Sequence, residues 1–524
     1  MKSILQSSKI DKLVTIIEES TRASEEGVKR FVEPAQGTLR RAISRRHHIV
    51  FGRRGSGKSS LLRKAAADLT VDRTPIAFID LEKFKGHSYP DVLLSVLIVT
   101  FAEFNKWLNT AAINPAHKTS FWNKLFGAAP KKPAFNRKDT QHLSTELQKI
   151  RKELDELLYS ADEKNVKEVK RAGFERENTA DLRGNLGNEI ASIQGAIAEK
   201  SSTEQSREIA EDYQHKKIDF LQRSIIRYQN IFRGMRTLSA TDCYLFLDDL
   251  YHIRRSDQAQ VIDYFHRIAK GNNLWLKIGT IRHRTNWYVH GDPPVGMKLG
   301  DDCDQIDLDL TLEKYSTTKS FLTKVLSRFL RDVGSAKVEN IMTGGAPDRL
   351  VLASGGVARD FLGIFRRSID IARERADLEL RPTVNAEDIN KAAGEYDTSK
   401  REEFKRDTDP TDAQSELEGE FSRIQEFCLN DAQANIFLID QSLTGKRIDL
   451  INELVDLRLV HLVRSRITVS GQTGKLFRAY MLDVSQYAGA RKRRGLTEIK
   501  FWDDASKEHI RRISYIYQPL VKSE

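Results

Sequence analysis

Apolar positions along this chain fall into short runs separated by amphipathic stretches. Five runs read as strands: His47–Phe51, Ile76–Asp80, Cys243–Leu247, Leu274–Ile278 and Ile306–Leu310. Most are largely continuous in apolar character, as strands buried on both faces of a parallel sheet should be, while the last alternates, as an edge strand does. Helical spacing separates them, for instance over Ser59–Leu69 and Ala259–Ala269, and also opens the chain at Leu5, Ile10, Leu13 and Ile17. Strands alternating with helices predict an α/β fold built on a parallel sheet.

One interval breaks this rhythm. About 160 residues separate the second run from the third, where a crossover helix and its loops need a few dozen. Within it Leu143, Leu147, Ile150, Leu154, Leu157 and Ala161 repeat at coiled-coil spacing, and Ile209, Tyr213, Ile218, Leu221, Ile225 and Tyr228 form a second stripe. The pattern predicts an inserted antiparallel helical hairpin over 135–236, whose first arm, from Asp139 to Ala172, is about 50 Å long. The polar middle, Glu175–Glu204, could add a short helix through Leu182, Leu186, Ile190, Ile193 and Ile197. The hairpin reads either as a solvated spacer or as an arm that docks a partner or neighbouring subunit.

After the last strand the pattern is helical from Thr317 to Glu395, followed by a charged link, Ser399–Gln414. Beyond it come a helix (Ser415–Asn430), a strand (Asn435–Ile439), a helix (Ile448–Leu459) and two strands, Leu462–Val469 and Phe477–Val484, flanking the turn Ser470–Gly474. Helices closed by such a hairpin have the outline of a winged helix.

Composition narrows the function classes. The 85 Lys and Arg against 74 Asp and Glu give a net charge of +11, which permits a polyanionic partner without demanding one. Three cysteines far apart exclude a disulfide framework and a cysteine-built zinc site. No apolar stretch is long enough to span a bilayer, and the N-terminus lacks a signal-peptide pattern, so a cytoplasmic protein without membrane contact is expected.

The most informative segment is Gly52-Arg53-Arg54-Gly55-Ser56-Gly57-Lys58-Ser59, followed by Ser60. It satisfies G-x-x-x-x-G-K-[ST] and lies between a strand and a helix, the context in which backbone N–H groups wrap phosphates. In that reading the helix N-terminus adds its dipole, Lys58 reaches the β/γ oxygens of ATP, and Ser59 ligates Mg²⁺. A second acidic site is then expected at another strand end, and Asp248-Asp249 supplies it: Asp248 for Mg²⁺, Asp249 to orient or deprotonate water. After the next strand Thr280 could sense the γ-phosphate, and Arg282 or Arg284 could neutralise charge or be ordinary surface arginines. Ser354-Gly-Gly-Val-Ala-Arg359 could carry one arginine back to the phosphates or be a capped helix with an exposed side chain.

Together the phosphate loop, Asp248-Asp249, Arg282 and the Gly-Gly-Val-Ala-Arg359 segment resemble an AAA+ ATPase. The likeness is to the origin-recognition-type initiators and their relatives, the STAND signalling NTPases. The resemblance implies a core sheet in the order 5-1-4-3-2 over 31–310, a helical lid over 311–398, a winged-helix domain over 415–524 and homo-oligomers with ATP at subunit interfaces. The residues before 31 form a separate helical segment. AAA+ proteins usually carry Asp-Glu where this chain has Asp248-Asp249, and the shorter second carboxylate favours slow, switch-like hydrolysis. Two partner classes follow. One is DNA, met through helix Ile448–Leu459, the turn Gly471–Lys475 or the basic clusters at Pro34–Ala67 and Arg491–Arg494. The other is a separately encoded effector, as in bacterial antiviral defence, with the C-terminal domain serving as a protein-docking module.

Overall fold

The computed structural model describes residues 4–20, 27–70, 73–113, 135–180, 188–334, 337–375, 383–407, 412–488, 495–503, 509–512 and 515–518, with side chains except at 160–212, 399 and 403–414. Five strands, β1 (His48–Phe51), β2 (Ile76–Asp80), β3 (Cys243–Asp248), β4 (Leu274–Thr280) and β7 (Asp304–Asp307), form a sheet in the order β2-β3-β4-β1-β7. All its pairings are parallel. Counted along the chain, this is the 5-1-4-3-2 order, and the alternating run sits at an edge. A two-stranded ribbon, β5 (Tyr288–Val289) and β6 (Val295–Gly296), follows β4.

Both faces of the sheet are covered, which is why its strands read as continuous apolar runs. On one face Val50, Phe246 and Ile306 pack with Leu61, Leu62 and Ala65 of helix Lys58–Thr70. On the other, Ile49, Leu245, Leu247, Leu276 and Ile278 join the apolar sides of helices Asp91–Ile113 and Arg255–Ala269. Parallel register aligns the carboxyl ends: Phe51 lies beside Thr280 and Asp307, and Asp80 beside Asp248.

The insertion forms helices Arg137–Ala180 and Asn188–Ser239. Leu143, Leu147, Ile150 and Leu154 are buried as the seam predicts, yet a third helix shares them, because Arg137–Ala180 packs along Asp91–Ile113. Ser144 donates to Asn105 (2.9 Å), and Lys217 pairs with Asp91 (2.7 Å). Arg227 bridges the two long helices to Glu146 (3.3 Å) and Glu153 (2.5 Å). The base of the insertion is thus part of the sheet's own core. Leu182 and Leu186 lie outside the described residues, while Ile190, Ile193 and Ile197 belong to the long second helix rather than to a short one of their own.

After β7, helices Tyr315–Asp332, Ala346–Ser354, Ala358–Arg375 and Ala386–Asp407 follow. The last runs straight through the first half of the expected charged link. Two of its charges, Asp397 and Lys400, are buried in ion pairs, so charge at these two positions marks an interface and not a linker. The C-terminal segment contains helix Asp412–Glu426, β8 (Ile436–Asp440), helix Lys446–Asp456, β9 (Val460–Ile467) and β10 (Phe477–Leu482), in an antiparallel sheet of order β8-β10-β9. Tyr515 and Tyr517 flank β8 through backbone bonds to Leu438 (2.9 and 2.8 Å). Arg491–Arg494 lies outside the described residues. One apolar cluster unites Leu5, Ile10, Leu13 and Ile17 of helix Ser8–Glu19 with the helices after β7 and the C-terminal sheet. No helix of the described residues is long and apolar enough to cross a membrane.

Candidate functional site

The phosphate loop begins where β1 ends. Gly52 donates its N–H to the Thr280 carbonyl (3.2 Å), tying the loop to β4. Gly55 (φ +84°) and Gly57 (φ +99°) adopt left-handed backbone that favours glycine and turn the chain into helix Lys58–Thr70. Arg53 faces away from that turn. Its N–H donates to Asp309 Oδ1 (2.8 Å), and its buried guanidinium donates to the carbonyls of Leu310 (3.1 Å) and Gly355 (3.2 Å), so it braces the loop against the chain beyond β7. Lys58 is buried, with Nζ donating to the carbonyls of Gly52 (2.9 Å) and Arg53 (3.2 Å). Burial lowers its pKa, opposed by Asp249, Asp248 and Asp309. Ser56 Oγ is buried without a hydrogen-bond partner among the described residues. Arg54 and Ser60 are half-buried.

Asp248 ends β3 and is buried. Its Oδ1 accepts the Asp249 N–H (3.0 Å), and its carboxyl is hydrogen-bonded to Ser59. Burial and the neighbouring Asp249 push its pKa up to about 7, against the pull of Ser59 and Lys58. Gly279 makes room for it, since a Cβ there would lie 2.6 Å from Asp248 Oδ1 and 2.8 Å from Leu62 Cδ1. Asp249 sits in left-handed backbone (φ +56°, ψ 45°), a conformation uncommon for a residue with a side chain. Burial raises its pKa too, while Lys58 and His252 lower it and Asp80 and Glu82 add to the rise.

Thr280 is buried, and its hydroxyl pairs with that of Thr285 at 2.5 Å. Arg282 lies 4.0 Å from the centre of the Phe51 ring and donates to Gln305 (3.0 Å) and Asp307 (3.3 Å), along the β7 edge. Arg359, in the first turn of helix Ala358–Arg375, donates its N–H to the Gly55 carbonyl (3.3 Å). A Cβ on Gly55 would fall 2.8 Å from Arg359 Cβ, and the arginine is near enough to depress Lys58 further. The fold therefore gathers Lys58, Ser59, Asp248, Asp249 and Arg359, while Arg53, Thr280 and Arg282 are held by partners around that centre.

Sequence reasoning missed what lies behind helix Ala358–Arg375. Arg458 donates to Asp360 (2.6 Å), Lys400 pairs with Asp483 (2.9 Å), and His461 Nε2 lies 2.8 Å from the same Asp483 oxygen, all essentially buried. Burial alone would raise the Asp483 pKa, but Lys400 and His461 outweigh it and hold it well below the ordinary carboxylate range. Asp397 joins through Arg401 (2.8 Å), Gln486 (2.8 Å) and Ser485 (3.2 Å). The network clasps the C-terminal segment onto helices Ala358–Arg375 and Ala386–Asp407. Helix Lys446–Asp456 packs on Arg282–Arg284, with Asp449 facing His283 and Asp456 facing Arg53 and Arg284. Charged positions inside apolar patterns, such as His461 in Leu459-Val-His-Leu-Val463, were the available signal.

No protein-family model matches the chain, and no curated protein does. Among solved structures it is similar to the Aeropyrum pernix Orc1 protein in complex with DNA, at 13% identity over 87% of this chain and 91% of that one, with a TM-score of 0.33. At that score neither a residue's role nor a bound molecule is carried over.

Proposed function

We propose that this chain is a Mg²⁺-dependent, ATP-binding and slowly hydrolysing P-loop switch of AAA+ type, which signals its nucleotide state through the clasped C-terminal segment to DNA or a partner protein. The observation that carries the reading is the convergence of Lys58, Ser59, Asp248 and Asp249 at the carboxyl ends of β1 and β3, with the N-terminus of helix Ala358–Arg375 resting on Gly55. The residues fit a triphosphate and a divalent cation. Lys58 makes do with loop carbonyls, Ser56 Oγ has no partner among the described residues, and burial beside Asp249 raises the pKa of Asp248.

In this reading Lys58 leaves the carbonyls of Gly52 and Arg53 to hold β/γ oxygens, and the backbone N–H groups of Gly55–Ser60 turn toward phosphate. Ser59 and Asp248 hold Mg²⁺, which when bound neutralises phosphate charge. Asp249 orients or deprotonates the attacking water, and its short side chain makes turnover slow. Arg359 swings with its helix onto the phosphates. Arg282, at the β7 edge, would serve a neighbouring subunit if the chain forms a homo-oligomer. Equilibrium binding of a fluorescent ATP analogue with Mg²⁺ tests the site. Wild type binds and folded Lys58→Ala does not; equal affinity in both removes the assignment.

The clasp favours a second version of the same switch, a STAND-like sensor that activates a separately encoded effector. His461, held by Asp483, lies against the Gly355 turn, whose carbonyl accepts from Arg53, so the phosphate loop and the C-terminal segment share residues. Stimulation of ATP hydrolysis by duplex DNA favours the DNA-engaging version; hydrolysis indifferent to DNA favours the sensor.

A further inference from the structure

The helix best placed by sequence to read a DNA groove is not free to do so. Asp449, Glu453 and Asp456 recur at i, i+4 and i+7 on helix Lys446–Asp456, forming one acidic stripe. The helix packs on the basic loop Arg282-His283-Arg284, with Asp449 near His283 and Asp456 near Arg284 and the phosphate-loop Arg53. Carboxylates along that side of the helix disfavour the approach of phosphate.

The opposite charge pattern occurs next door. The 23 residues from Val460 to Leu482 contain Arg464, Arg466, Lys475 and Arg478 and no Asp or Glu. β10 is buried on both faces, at Phe477, Ala479 and Met481 on one and at Tyr480 and Leu482 on the other, so Arg478 near its turn end is half-buried. Arg466, beside the buried Ile467 that pairs with Phe477, is on the outside of β9. Arg464 is committed to the Glu313 carbonyl (3.0 Å) and anchors the hairpin to the helices after β7. Arg466 and Lys475 are exposed. The chain's tail then returns to the hairpin turn: Ser470 N–H donates to the Arg511 carbonyl (2.9 Å), and Ile510 between Arg511 and His509 is fully buried. Arg511 and Arg512 are exposed there, adding two cations to the turn.

Resting on the DNA-engaging reading above, we propose that the surface meeting a nucleic-acid duplex is this composite of the β9–β10 hairpin and the docked tail turn His509–Arg512, gripping phosphates without reading bases, while helix Lys446–Asp456 stays on the ATPase side. The patch offers the exposed Arg466, Lys475 and Arg512 on a narrow ribbon, with Arg478 half-buried between them, and guanidinium forks match phosphate oxygens. An anionic membrane fits less well. The large apolar side chains exposed among the described residues, Tyr159, Ile226 and Val289, all lie elsewhere, so the patch has no anchor to insert.

The test measures affinity of the full-length, nucleotide-free protein for two unrelated 20-base-pair duplexes by fluorescence anisotropy across a salt series. Three proteins are compared: wild type, the triple variant Arg466→Gln/Lys475→Gln/Arg512→Gln, and the helix variant Arg447→Gln/Asn452→Ala. Wild type binds both duplexes alike. The triple variant loses about tenfold or more in affinity, and its slope against log salt is shallower by about 2–3 units, at roughly 0.9 per lost contact. The helix variant matches wild type, and all three bind the ATP analogue equally. A triple variant that binds duplex as wild type does overturns the surface while leaving the DNA-engaging reading intact. Sequence preference that disappears in the helix variant overturns it in favour of groove reading. Wild type that binds no duplex at 50 mM salt overturns both, whether or not it binds vesicles of anionic lipid or an acidic protein instead.

Discussion

The imidazole of His461 occupies the space that glycine leaves at position 355. A Cβ on Gly355 would lie 2.1 Å from His461 Cε1 and 2.2 Å from Nδ1. Gly355 also has φ +55°, and its carbonyl accepts from Arg53 of the phosphate loop. A methyl group there meets both a strained backbone and a buried ring. Gly355→Ala is expected to lower stability by about 2–4 kcal/mol. Chemical denaturation checks this, and a variant as stable as wild type means the His461 contact is not tight in solution.

Asp249 offers a way to separate binding from turnover. Asparagine tolerates left-handed backbone nearly as well as aspartate, so Asp249→Asn keeps the strand end in place while removing the charge. ATP affinity should persist and the single-turnover hydrolysis rate should fall by about 10²- to 10⁴-fold. Hydrolysis at the wild-type rate would shift the role to another carboxylate, with Glu82 the nearest candidate after β2.

Lys400 stands between two buried carboxylates, Asp483 at 2.9 Å and Asp360 at 4.0 Å. Lys400→Met strands Asp483 with only a histidine and a serine, and should cost about 3–5 kcal/mol. Adding Asp483→Leu should restore much of that loss, because the uncompensated charge goes with it. Because the folded-state pKa of Asp483 is depressed, its stabilisation is present above the ordinary carboxylate range and is lost as pH falls below about 4. Urea midpoints of the two single variants and the double variant between pH 7 and pH 3 measure both effects.

Asp456 carries the opposite sign. Burial and the nearby Asp309 push its pKa up to about 7 despite Arg53 and Arg284, and its Oδ2 has no hydrogen-bond partner among the described residues. A raised folded-state pKa favours the fold at low pH and withdraws that contribution as pH rises toward 7. Asp456→Asn should therefore be more stable than wild type at pH 8, by about 1–3 kcal/mol, and no more stable at pH 4. Thermal unfolding of both proteins at the two pH values decides it; a difference independent of pH means that Asp456 is charged and solvated throughout.

Much of this was legible in the sequence, for a physical reason. Strands covered on both faces must be continuously apolar, so Cys243–Leu247 and Leu274–Ile278 announced themselves, and parallel order then places Lys58 and Asp248 at one edge. What escaped were features whose signal is charge. Lys400 and Arg401 look like solvated linker because composition records ionisable groups and not their partners. Arg53 sits inside a phosphate-binding motif yet spends its N–H on Asp309, 256 residues away. The seam from Leu143 to Leu154 has the right period for two helices, but period alone does not reveal that Asp91–Ile113 supplies a third.

The apolar cluster that begins at Leu5 and ends at Tyr517 gives the molecule an unusual cooperative anatomy. The first helix, the helices after β7 and the C-terminal sheet share this interior, whereas the β-sheet with the phosphate loop and the base of the insertion has interiors of its own. Chain order and folding units thus cross: the polypeptide starts in one unit, passes through the other, and returns. Ribosomal synthesis delivers residues 4–20 long before their partners exist, so that segment waits with its apolar stripe uncovered until helices Tyr315–Asp332 and Ala358–Arg375 emerge. Calorimetry should then resolve two heat-absorption peaks, and ATP with Mg²⁺ should move the one belonging to the sheet by mass action.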